Sequence, residues 1–189
     1  MAKRSKKDSY DDSWMYILLL TTITILAYSL STYTFKIAGV SLTYSIFLLP
    51  VLYLIANYIT KKYCCEKAVL AIVISSISIV IFTLIMNFAM GKSTSISVFT
   101  GSFCALVVSH LVNLLIYRFL NSNTEAPFLL VLLNYMFALV TFYAFYTLIY
   151  LNMIILDDYW LGYFITLVIQ TIMCIGLAYL DKKIKLGRE

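Results

Sequence analysis

Charged residues are scarce in this sequence: aspartate, glutamate, lysine and arginine make up 12% of 189 residues, against about 25% in a soluble domain. That shortage, with 62% hydrophobic residues and a mean hydropathy of +0.93, excludes a water-soluble globule and a disordered chain alike. Little is left over for a separate soluble catalytic domain. Prolines number two and glycines six, so the apolar stretches run long. The four cysteines show no C-x-x-C spacing. Cys64 and Cys65 are adjacent, Cys104 and Cys174 stand in apolar sequence, and all are expected to be structural or incidental. No metal site is expected.

Catalytic motifs are missing too. Gly91-Lys92-Ser93 resembles the end of a phosphate loop, but the glycine that pattern requires at the first position is Met86. No H-E-x-x-H and no G-x-S-x-G occurs. The nine acids (Asp8, Asp11, Asp12, Glu66, Glu125, Asp157, Asp158, Asp181, Glu189) fall outside the apolar blocks, in expected loops or tails. No catalytic residue, cofactor or enzymatic activity is therefore expected.

What the chain does have is apolar blocks, at 14–34, 40–60, 68–90, 96–120, 127–151 and 159–180, between a basic tail 1–13 and a second tail 181–189. Each is long enough to cross about 30 Å of hydrocarbon as a helix. None alternates in polarity as barrel strands do, and backbone in lipid must bond within its own segment. The expected fold is an all-α bundle of six transmembrane helices forming one domain. The first block is longer than a signal-peptide core and lacks an A-x-A site, so it is expected to remain as a span.

Basic residues gather at alternate ends of these blocks. Lys3, Arg4, Lys6 and Lys7, then Lys61, Lys62 and Lys67, then Arg118, then Lys182, Lys183, Lys185 and Arg188 share one side, leaving Lys36 and Lys92 on the other. The positive-inside bias puts both termini in the cytoplasm of a multi-pass protein of the plasma (inner) membrane. The formal charge of +5 sets topology and touches anionic lipid, and is no nucleic-acid footprint. Tyr10, Trp14, Tyr16, Tyr58, Tyr63, Tyr159, Trp160 and Tyr163 stand at block ends, where rings with one polar end favour the headgroup level.

Polar residues inside the blocks are the candidate functional groups. His110, the single histidine, lies mid-way along the fourth block, and His110, Asn113 and Tyr117 follow helical spacing beside Ser109. On the second block Pro50, Tyr53, Asn57 and Thr60 share a face, with Pro50 expected to kink that helix. Asn134 and Tyr135 open a polar side of the fifth block, and Thr166 and Gln170 do so on the sixth. Hydrogen bonds between helices are one reading of these groups. The other is a pocket for a flat polar molecule, with Asn57, His110, Asn113 and Gln170 fixing its polar edges and Tyr53 and Tyr135 stacking on its ring.

Two blocks carry a resemblance. Pro50-Val-Leu-Tyr-Leu-Ile-Ala-Asn57, followed by Lys61 and Tyr63, and Ser102-Phe103 through Ser109-His110 to Asn113, with Tyr117 following, resemble motifs of the queuosine-precursor transporter (VUT) family. Thr32 and Lys36 are similar to a pair that follows the family's first span. The resemblance implies six spans, both ends inside, and import of a deazapurine base. The family's acids are replaced by Asn57, Lys61 and Asn113 on these two blocks and by Phe137 on the fifth, and His110 stands where the family has glutamine. Loss of the carboxylates implies a neutral solute, since an asparagine still offers a nucleobase edge one donor side and one acceptor side.

The leading expectation is a small-molecule transporter for a small neutral flat solute, purine-like base or vitamin, with the lipid bilayer as its surroundings. An alternative is the substrate-binding S-component of an energy-coupling-factor importer, which would co-purify with its partner subunits. A second is an accessory membrane protein without a substrate, and a homodimer fits any of them.

Overall fold

Backbone that finds no water must bond to itself. In the computed structural model, which describes residues 8–31, 33–37, 39–91, 96–120, 127–150 and 159–183, it does so as six helices. These are α1 (Asp8–Leu30), α2 (Leu49–Lys62), α3 (Cys65–Met90), α4 (Ile96–Leu120), α5 (Phe128–Tyr150) and α6 (Tyr159–Lys183). Six segments are long and apolar enough to cross a membrane, and the chain is a multi-pass helical membrane bundle. The tails 1–7 and 184–189, Lys92, and the segments 121–126 and 151–158 with Glu125, Asp157 and Asp158 lie outside the described residues, as do the side chains of Tyr10, Tyr159 and Trp160.

The region before α2 departs from expectation. The block 40–60 is not one helix, and the first block ends as a helix at Leu30 rather than Thr34. Instead β1 (Thr34–Ile37) pairs antiparallel with β2 (Val40–Thr43), Thr34 opposite Thr43 and Ile37 opposite Val40. The chain reverses at Gly39, whose φ of 84° is open to a residue without Cβ. A 3-10 turn, Tyr44–Phe47, then leads into α2. β-branched and aromatic residues (Thr34, Phe35, Ile37, Val40, Tyr44) make this segment as apolar as a helix, which is why hydropathy merges the two.

Pro50 therefore does not kink a helix. It is in the first turn of α2, where its missing N–H has no helical partner to lose. With 14 residues, α2 rises about 21 Å at 1.5 Å per residue, short of the about 30 Å of hydrocarbon. The turn and the hairpin make up the remainder. Gln170 of α6 donates to the Ile46 carbonyl at 2.9 Å, satisfying backbone that the helix does not. α3 ends at Gly91, whose φ of 61° forms a left-handed cap.

α2 is the axle of the bundle. It touches every other helix, and half of the residues 44–62 are buried, against 22–33% in the other five spans. α4 and α5 share the longest helix–helix interface, and α1 packs along α3. The outward faces stay apolar (Leu84, Phe88, Leu115, Phe137, Phe164), as lipid contact requires.

The start of α1 and the ends of α2 and α6 meet at one end. There the Lys62 ammonium lies 4.7 Å from the Tyr16 ring centre, 5.2 Å from Tyr63 and 5.9 Å from Tyr58. Tyr16 and Tyr58 share a hydrogen bond of 3.2 Å, and Asp12 stands 4.0 Å from the ammonium. These three rings, expected only as interface anchors, clasp one cation. Each cation–π contact at a partly exposed site contributes about 0.5–1 kcal/mol. Lys62→Met is thus expected to lower stability by about 1 kcal/mol in detergent unfolding, while Lys62→Arg holds it; equal loss in both would assign the effect to packing of the stem.

Candidate functional site

Helical spacing builds the interior. On α4, Ala105, Ser109, Asn113 and Tyr117 form a buried ridge of fourth residues, and on α5 Val131, Asn134, Tyr135, Ala138 and Leu139 form a buried face. On α2, Tyr53 and Asn57 lie one turn apart, both fully buried. Where the three faces converge, the amides join. Asn134 donates to Asn113 at 2.8 Å, and Asn113 donates to Asn57 at 2.7 Å. The result is a ladder of three side-chain amides that ties α5 to α4 and α4 to α2.

The ladder ends unspent. Asn57 Nδ2 is a buried donor without a partner among the described residues, and Asn134 Oδ1 is a buried acceptor in the same condition. The Tyr135 hydroxyl, beside the Asn57 side chain but not in bonding geometry, is a third. Leaving such groups unpaired costs about 1–3 kcal/mol each. Three in one neighbourhood mark a place where a bonding partner is wanted.

The other expected site residues lie apart from the amides. Tyr53 packs tilted against His110, ring centres 5.0 Å apart at an interplanar angle of 58°, and its hydroxyl donates to the Ala138 carbonyl at 3.3 Å. His110, 3% exposed, bonds through Nδ1 to the Leu106 carbonyl of its own helix at 2.9 Å. Gln170 is wholly buried and fully engaged elsewhere, donating to Ile46 and accepting from Tyr143 at 2.9 Å. Of the six expected site residues, Asn57 and Asn113 thus form two rungs of the ladder, Tyr135 lies beside it, Tyr53 and His110 flank it, and Gln170 supports the turn before α2.

Two participants lie outside the sequence reading of the site, and a third, Asn134, which opens a polar side of the fifth block but is not among the six expected site residues, carries one end of the ladder. Tyr143 gave no signal. Asp181, expected in the tail one residue past the last apolar block, is instead part of the bundle. It lies within α6, 2% exposed, and its two carboxylate oxygens accept the Tyr117 hydroxyl at 3.2 and 3.3 Å. Lys61 donates to its backbone carbonyl at 3.1 Å. The clue lay in spacing, since Thr166, Gln170, Cys174, Ala178 and Asp181 fall on one face of α6. Asp12 and Glu66 are helical as well, in α1 and in the first turn of α3. The four cysteines are free thiols.

No protein-family model, curated protein or solved structure matches the chain. Fold and site define a class all the same: a six-span membrane bundle with a polar, amide-lined seam between α2, α4 and α5.

Proposed function

We propose that this protein is a plasma-membrane transporter, with both termini cytoplasmic, for a small neutral flat solute such as a purine-like base or a vitamin. It acts without chemistry of its own. The observation that supports this reading is the ladder with its unspent ends: a free donor on Asn57, a free acceptor on Asn134 and a free hydroxyl on Tyr135. The edge of a nucleobase offers acceptors and donors in the same plane, which is what amides read. In the described conformation the inner donors and acceptors of the ladder are spent on neighbouring rungs. Parting α4 from α2 would free the Asn113 donor and the Asn57 acceptor as well, so the solute replaces amide–amide bonds instead of water.

Thermal unfolding of the purified protein against nucleobases, deazapurines and vitamins tests this. A ligand at a hundred times its Kd raises the midpoint by about 5–10 °C for a chain of this size. Asn57→Leu should abolish that shift, and counterflow in proteoliposomes should follow the same ligand. A second reading, an accessory protein with no solute, is favoured by the amides bonding one another and by the full engagement of Gln170. Absence of any ligand shift together with absence of counterflow would decide for it.

A further inference from the structure

A hollow lies between α1, α3 and α4, on the other side of His110 from the bundle's axle helix. Thr24, Ser75, Ser76 and His110 line it, between the aliphatic side chains of Leu20 and Ile72. Its volume of about 10 Å³ suits one water-sized occupant. It takes no solute of base size and is separate from the amide ladder.

The hydrogen-bond inventory of this hollow is one-sided. A carbonyl only accepts, so His110 Nδ1, 2.9 Å from the Leu106 oxygen, carries the hydrogen and leaves Nε2 as a bare lone pair in the neutral ring. No partner for Nε2 is found among the described residues, though the residue is only 3% exposed. The hydroxyls have likewise spent their hydrogens on their own helices. Thr24 donates to the Leu20 carbonyl at 2.6 Å, Ser75 to Ala71 at 2.8 Å and Ser76 to Ile72 at 2.7 Å. Thr21, 3.1 Å from Ser75, extends the same seam. The lining is mostly apolar, and the few polar atoms that face the hollow are acceptors, so a donor is the occupant that suits them.

We propose that His110 and this hollow form a proton-binding site. In the neutral state a water fills the hollow, giving one hydrogen to Nε2 and the other to a hydroxyl oxygen. When a hydronium ion from bulk water passes its proton through that water to Nε2, the water is left neutral and the new N–H becomes the donor that the surrounding oxygens accept. The groups around the ring are the hydroxyls of Thr24 (α1), Ser75 and Ser76 (α3) and the Tyr53 phenol (α2); none carries a charge. No cation meets a counter-charge there, the imidazolium included, so no metal ion resides in the hollow and a proton is held only transiently, under acid conditions. This inference goes beyond solute recognition and does not depend on it.

The chain's single histidine makes the test direct. Full-length protein labelled with 15N only at histidine gives one imidazole in the NMR spectrum. The neutral protein should show the Nδ1–H tautomer with an exchange cross-peak from water to the ring, and acidification short of unfolding should add a proton at Nε2. The pair Thr24→Val and Ser76→Ala, which removes acceptors, should require about tenfold more acid for the same protonated fraction. An Nε2–H tautomer, a dry ring, or a variant titrating like the wild type would overturn the proposal. None of these readouts requires transport, so the failure of either reading is recognised by itself.

Discussion

Asn113→Leu is expected to destabilise the protein by about 2–4 kcal/mol, more than any other single change in the interior amides. Asn113 is the middle rung, and its loss strands both the Asn57 oxygen and the Asn134 nitrogen. Each orphaned group costs about 1–3 kcal/mol, moderated in a membrane because the unfolded chain also finds partners. Asn57 and Asn134 are end rungs, so replacing either strands one atom of the middle residue. The triple change of Asn57, Asn113 and Asn134 to leucine removes donors and acceptors together and should cost less than Asn113→Leu alone. Reversible unfolding in mixed micelles reads these differences. A triple variant that loses the sum of the three single losses would show that the rungs act independently and that the ladder is not a unit.

Lys61→Met is expected to cost about 2–4 kcal/mol, a little below the roughly 3–5 kcal/mol of a fully buried pair because Lys61 keeps partial exposure. Its ammonium is held on the Asp181 backbone carbonyl, close to a carboxylate that is almost wholly withdrawn from water. Removing the cation leaves that carboxylate with the Tyr117 hydroxyl as its neutral partner. Asp181→Asn should cost under about 1 kcal/mol, since an amide oxygen still accepts from Tyr117. Asp181→Asn placed on top of Lys61→Met should therefore restore most of the loss. If the double variant is no better than Lys61→Met, the lysine acts through its contact with the carbonyl and not through the buried charge.

The membrane bundle was legible because apolar length is a direct readout of the solvent the chain must meet. The block 96–120 coincides with α4, and blocks such as 68–90 differ from their helices by a turn or less. The segment before α2 was not legible: Thr34–Thr43 is rich in residues that suit either lipid or a pleated strand, and only the pairing of its two halves decides between them. Asn57 and Asn113 could be nominated from polarity and period, yet their bond to each other depends on how α2 and α4 are rotated, which one strand of text does not encode. The same holds for His110. Its depth was readable, but the free ring nitrogen follows from a bond made within its own helix. Asp181 shows the converse, since the periodicity was present while the neighbouring lysines drew it into the tail.

The shortness of α2 gives the two mouths of the protein unequal construction. On the side of Lys61 and Lys62 the axle helix runs to its full end and is bolted to α1 and α6 by ion, ring and carbonyl contacts. On the opposite side the same column is completed by a two-stranded cork, joined to the helix by a single 3-10 turn that Gln170 pins to α6. Lifting a cork disturbs few bonds, whereas tilting a helix disturbs many. Under the proposed transport reading, the hairpin side is the cheaper route to the amides, with the Gln170 bond to the turn at Ile46 as the contact that opening must break.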